Sequence, residues 1–385
     1  MDFDELLDRR ATGAEKWNPA TLEGIYGTSD LLPLWVADMD FRSPAAAGAY
    51  LHARADVDEF GYEIEPPQVR PTVANWCATR HGWPVDPEHL TAAPSVVNVL
   101  GAAVQLFTEP GDGVIIQPPV FFYFALTVRR NERKLVNNPL RLVDGRYEMD
   151  FEDLEAKAAD PRNKLLILCN PHNPIARVWT ADELRSVDEI CRRHGVHVVS
   201  DEIHGDIVYP GHVYTPFARV ADNATTALSP AKTFNVAGIT GAFAHIADDT
   251  ARQRFREFQR RLGLMKKNAL EQGVTEAVYR DGAEWVDALM GYLGRNVAYV
   301  RERLDQIEGV ELIEPDGTYL MWLDFRGLGL DRKQLSTFLV ERARLGLNAG
   351  SVFGREGAGF ARMCIACPGR TLEEAFDRLE QAVAG

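Results

Sequence analysis

The segment Lys164-Leu165-Leu166-Ile167-Leu168-Cys169 is a largely apolar run that stops at Asn170-Pro171-His172-Asn173-Pro174. A strand that is apolar at consecutive positions must be covered on both faces, whereas a half-solvated strand alternates. The prolines let neither helix nor strand continue, so the chain turns there. The same pattern recurs on both sides. Val96–Phe107 has helical spacing, Pro110-Gly111-Asp112-Gly113 breaks it, and Val114-Ile115-Ile116 reads as a strand. Thr180-Ala181-Asp182-Glu183 carries a cap and its reciprocal acid, which predicts a helix to about Arg193. Residues 196–200 and 241–246 read as further strands. Strands alternating with helices imply an α/β layered domain with a mostly parallel sheet and right-handed crossovers.

A chain of 385 residues exceeds one ordinary core, so two unequal domains are expected. From about Ala251 a long, charged helical stretch is expected to run through Trp285 and Tyr292 to Ile307. Residues 310–313 and 318–325 follow as an antiparallel pair, and residues 372–383 as a last helix. We expect a large domain over 45–280, a smaller α+β domain over 281–385, and an N-terminal segment, 1–44, packed with the latter. The net charge of -14 argues against a nucleic-acid or anionic-membrane partner. No apolar run approaches the roughly 20 residues of a membrane helix, and the acidic start lacks the regions of a signal peptide. A cytoplasmic protein is expected. The five cysteines are scattered; Cys364 and Cys367 read as half-buried residues of an apolar strand, and no second Cys/His cluster completes a metal site.

In open α/β sheets ligands collect at the carboxyl ends of the strands. Those ends carry Ser95, Phe121, Asn173, Asp201, His204, Ser229 and Lys232. A desolvated lysine loses its proton readily and condenses with an aldehyde, which points to pyridoxal phosphate (PLP). A buried Asp201 keeps a pyridine nitrogen protonated and the ring an electron sink. Asn173 and His204 suit the ring's phenolic oxygen, and Phe121 its face. Ser95 with the amides of Val96 and Val97, opening a helix, makes an anion site for the phosphate, and Ser229 adds a hydroxyl.

The chain resembles the fold-type I PLP enzymes, the aminotransferase superfamily, and within it the cystathionine β-lyase-like C–S lyases. The motifs that carry the resemblance are Leu34-Trp35-Val36-Ala37-Asp38-Met39-Asp40-Phe41, Phe60-Gly61-Tyr62, Pro118-Pro119-Val120, residues 169–174 and Ser200-Asp201-Glu202-Ile203-His204. Residues 229–238, Gly317-Thr318-Tyr319-Leu320, residues 350–354 and residues 362–368 complete the set, in family order. The resemblance implies a seven-stranded sheet between helices and a smaller C-terminal domain. It makes Lys232 the Schiff-base lysine and general base, and Asp201 the partner of the pyridine nitrogen. It has Arg362 clamp the substrate α-carboxylate with help from the backbone at Ala37. It sends Tyr62 to the cofactor phosphate of the neighbouring subunit, which implies a homodimer with shared sites.

Some positions depart from the family pattern. Phe121 stands where a tyrosine is common, Ala176 where a glycine is expected, Thr240 where many aminotransferases have an arginine, and Cys364 where an asparagine is common. Phe122-Tyr123-Phe124 adds aromatic bulk. The leading expectation is a β-lyase that releases a thiol, pyruvate and ammonia from an S-substituted L-cysteine, in a specialised biosynthetic pathway. The alternatives are a decarboxylation coupled to oxidative deamination, which the loss of the hydroxyl at 121 brings forward, an aminotransferase, and a regulatory PLP protein without turnover.

Overall fold

The computed structural model describes residues 1–385 apart from Asp222, Thr240 and Lys267. Its central sheet is built from β1 (Leu90–Ala93), β2 (Gly113–Ile116), β3 (Lys134–Asn137), β4 (Asn163–Cys169), β5 (His197–Asp201), β6 (Ala224–Leu228) and β7 (Ala242–Ile246). Their order across the sheet is β1-β7-β6-β5-β4-β2-β3. The five strands from β6 to β3 are parallel, and β7 runs antiparallel to both of its neighbours. This is the expected mostly parallel sheet of seven strands.

The apolar run of β4 serves both faces. Leu165, Ile167 and Cys169 pack with the helices Val96–Phe107, Phe122–Arg130 and Asp249–Arg261. Leu166 and Leu168 pack on the other face with Phe151–Ala158 and Ala181–Arg193. Helix capping follows the sequence closely: Ser95 caps Val96–Phe107, and Thr180 with Glu183 forms a reciprocal capping box on Ala181–Arg193.

The C-terminal part of the chain carries an antiparallel sheet of β8 (Glu311–Ile313), β9 (Leu320–Asp324), β10 (Asn348–Ala349) and β11 (Phe360–Cys364), in the order β8-β9-β11-β10. The expected long helical stretch is instead three helices, Asp249–Arg261, Ala269–Asp281 and Ala283–Leu304. Gly263 at positive φ, the Asn268 cap and Gly282 divide it. Cys364 and Cys367 are fully buried rather than half-buried, and Cys367 lies beyond the end of β11. Among the described residues no helix is long and apolar enough to cross a membrane.

The N-terminal residues are stitched to residues of the C-terminal part of the chain. Leu32–Pro33 pairs in parallel with Leu345–Gly346, and Phe3 packs edge-on against Phe41 and Trp285. Asp40 accepts from Lys16 Nζ at 2.5 Å and from Arg9 Nη1 and Trp17 Nε1 at 2.8 Å. Lys16 is fully buried; burial opposes its charge, but Asp40 outweighs this and keeps it protonated well above the ordinary lysine range. These contacts set the position of Trp35-Val36-Ala37.

Candidate active site

The strand register decides where the site forms. Cys169 pairs with Asp201 and Asp201 with Ala227, so the turns after β4, β5 and β6 leave the sheet side by side. Facing them are Trp35-Val36-Ala37 and Arg362 of β11. Between lies a cavity of about 360 Å³.

The cavity brings together Lys232, Asp201, Asn173, His204, Ser229 and Phe121 from the sheet ends. Ser95, Val96 and Val97 line it from the start of their helix, and Ala37 and Arg362 from the facing side. Tyr62 does not reach it: its side chain is 91% exposed, with the Lys266 ammonium 3.8 Å above its ring. Thr240 lies outside the described residues.

Lys232 Nζ donates to the Ala37 carbonyl at 2.5 Å and makes no ion pair among the described residues. Burial, aided by the nearby Arg362 charge, pushes its ammonium below the ordinary lysine range, although Asp38 and Asp201 pull the other way. Burial also raises the Asp201 carboxyl to about 6, against the Ile203 amide that donates to its Oδ1 at 3.2 Å and the charge of Lys232. His204 is held neutral, pushed down to about 3 by burial and by the cations Lys232 and Arg362.

Arg362 is a buried guanidinium that makes no ion pair among the described residues. Its Nη1 donates to Asn173 Oδ1 at 2.8 Å, and its Nη2 to the Trp35 carbonyl and Asn348 Oδ1 at 2.7 and 2.6 Å. Burial pushes it down to about 10. A buried cation held only by neutral acceptors calls for an anion, and a substrate carboxylate fits. Asn173, its oxygen taken by Arg362, keeps its amide donor for a ligand. The Ala37 carbonyl receives Lys232 and, at 3.3 Å, the Tyr319 hydroxyl, whereas the carbonyl that serves Arg362 belongs to Trp35.

The Ser95 hydroxyl accepts from the Asn98 amide at 3.1 Å as a helix cap, and the first amides of that helix have no intrahelical acceptor. Ser229 accepts from the Ala231 amide and donates to the Gly241 carbonyl at 2.7 Å, so its proton is spent inside the protein. Phe122 and Tyr123 line the cavity beside Phe121, but Phe124 is turned wholly into the core. Ala176 sits at φ 57, the left-handed region in which glycine is at ease, which accounts for the residue expected there. The Cys364 thiol lies 3.6 Å from the Asp38 carbonyl.

Asn348 and Glu15 also belong to the site and carry no sequence signal. Asn348 faces Arg362 only through the pairing of β10 with β11. The residues present fit PLP. The orphaned, buried His204 Nδ1 and Arg362 Nε await polar partners. Asp201 suits a pyridine nitrogen, the open helix start a phosphate, and Lys232 an aldehyde.

The family model for aminotransferase class I and II matches residues 36–379. The chain is 40% identical to the cystathionine beta-lyase PatB of Bacillus subtilis over the whole of both chains. Among solved structures it is similar to cystalysin of Treponema denticola, which contains a pyridoxal 5'-phosphate cofactor. That likeness has a TM-score of 0.95 at 32% identity and covers 100% of this chain and 98% of the other. The PLP-bound C–S lyase of Staphylococcus hominis superposes with a TM-score of 0.93 at 28% identity, over 100% and 98% of the two chains. With its sheet order, its lysine and its buried arginine arranged in this way, the chain belongs to the aminotransferase class I and II family.

Proposed function

We propose that this chain is a PLP-dependent carbon–sulfur β-lyase acting on an S-substituted L-cysteine in a specialised biosynthetic pathway. With one water consumed, the products are a thiol, pyruvate and ammonia. The observation that carries this reading is the meeting, in one cavity and beside the buried Asp201, of a Lys232 and an Arg362 that make no ion pair among the described residues. The relatives named as lyases point the same way.

Bound PLP supplies the sink for the electron pair left when the α-proton departs. Asp201, ionised against the pyridine nitrogen, keeps that nitrogen protonated. Asn173 Nδ2 and His204 would hold the phenolic oxygen, and the helix start at Ser95, Val96 and Val97, with Ser229 nearby, would take the phosphate. Arg362 fixes the substrate carboxylate and thereby aims the α-carbon at Lys232. Lys232 Nζ, its proton loosened by burial, takes the α-proton; the β-carbon–sulfur bond then breaks with the electron pair leaving on sulfur. Phe121 covers the ring face.

The working form is a homodimer with shared sites. Phe60, Tyr62 and Ile64, exposed by 58, 91 and 86%, fall within five residues of an irregular stretch, an apolar patch a second copy would cover. Tyr62 would serve the neighbour's phosphate.

Phe121 supports one further reading. Without a hydroxyl at that position, decarboxylation coupled to oxidative deamination of the same conjugates competes with elimination. Product analysis with S-substituted cysteines separates the routes. Pyruvate with free thiol supports the lyase. Carbon dioxide, an aldehyde and oxygen uptake would replace it with the oxidative route, and a keto acid that keeps its sulfur with an aminotransferase.

A further inference from the structure

We propose that Glu15 sets the charge specificity of the substrate's S-substituent, so that the site favours conjugates whose arm is apolar near sulfur and ends in an amine. The inference rests on the lyase reading for its substrates, but the charge preference is a property of the cavity itself.

Four charged side chains line the cavity: Glu15, Asp201, Lys232 and Arg362. Three are committed, Asp201 and Lys232 to the cofactor and Arg362 to the α-carboxylate. Glu15 is the remaining one, and its carboxylate makes no hydrogen bond or ion pair among the described residues. An anionic arm therefore meets no uncommitted cation among the described lining residues, while a cationic arm meets a free carboxylate.

The backbone turn that carries this carboxylate is anchored. Glu15 opens the short turn Glu15–Trp17, whose next two residues are anchored on Asp40, Lys16 through a fully buried ion pair and Trp17 through its indole N–H. The Trp35 indole N–H donates to the Lys16 carbonyl at 3.2 Å, tying the turn to the cavity wall. That wall is aromatic: Trp35, Phe121, Phe122 and Tyr123 line it. Aromatic faces and a carboxylate lining one cavity are the chemistry that attracts an ammonium group. Glu15 is solvent-exposed, so the attraction is that of a screened ion pair, about two- to fivefold in affinity, and weakens with salt.

The test uses the holoenzyme and matched S-alkyl-L-cysteines of increasing arm length ending in an amine, a methyl or a carboxylate. We expect kcat/KM in the order amine, methyl, carboxylate, with about two- to fivefold between successive members at low salt and a narrowing at high salt. Glu15→Gln should bring the three together, and Glu15→Lys should reverse the order. An amine-to-carboxylate ratio that is near one in the wild type, or that Glu15→Gln leaves unchanged, overturns the proposal. Pyruvate and thiol from the methyl arm report on the lyase reading separately. If that arm yields neither, the lyase reading fails, and the charge order is decided by calorimetric binding of the same three compounds to wild type and Glu15→Gln.

Discussion

Replacing Asp201 by asparagine separates what the buried carboxyl costs the empty fold from what it does for the cofactor. The unfolded chain ionises this group near 3.8, the folded apoprotein near 6. Between those values the folded state keeps a proton that the unfolded state has lost, so stability falls as pH rises, and above about 6 the full penalty applies. That displacement corresponds to about 3 kcal/mol at pH 8 and about 1.5 kcal/mol at pH 5. Asparagine keeps the oxygen that accepts from Ile203 and carries no such penalty. Apo Asp201→Asn should therefore be more stable than apo wild type in urea unfolding, by up to about 3 kcal/mol at pH 8, with the gain roughly halved at pH 5. The buried Glu202, also raised by burial, to about 7, is present in both proteins and cancels in the difference. With PLP added the order should invert in function: the variant gains less stability from the cofactor and loses most of its turnover. An apo variant no more stable than wild type at pH 8, or a gain independent of pH, would refute the reasoning.

Three further outcomes follow from the geometry. Arg362→Lys keeps the charge but cannot reach Asn173, Trp35 and Asn348 together, so steady-state kinetics should show KM for the amino-acid substrate rising about tenfold or more. Asn348→Ala strips one acceptor from that buried guanidinium, a loss of about 1–3 kcal/mol that should appear as a lower thermal midpoint together with weaker substrate binding. Mixed dimers of Tyr62→Ala and Lys232→Ala subunits should recover about half of wild-type activity per dimer, since one site then holds both intact residues; activity no higher than in the parent variants would show that Tyr62 serves its own chain.

Much of the α/β layering is legible in the sequence because it is written locally. The apolar run of β4 demands cover on both faces, Val96–Phe107 has its period and its serine cap, and Thr180 with Glu183 marks a helix start without tertiary context. The breaks in the helical stretch after residue 249 are less audible, because charged helix-forming residues surround the Asn268 cap and Gly282. The lysine, the aspartate and the arginine of the site announce themselves by residue type within motifs. Asn348 and Glu15 do not. One reaches Arg362 through a strand register, and the other reaches the cavity through a turn anchored on Asp40, contacts between segments far apart in the chain. Tyr62 is visible as a motif, but its destination needs a second copy of the chain.

In the proposed mechanism, Lys232 is the group that holds PLP. Borohydride reduction of the holoenzyme followed by peptide mass spectrometry tests it directly. The reduced cofactor is expected on the peptide containing Lys232, with no covalent label in Lys232→Ala. A label on Lys16 or another lysine, or undiminished labelling of the variant, would contradict it.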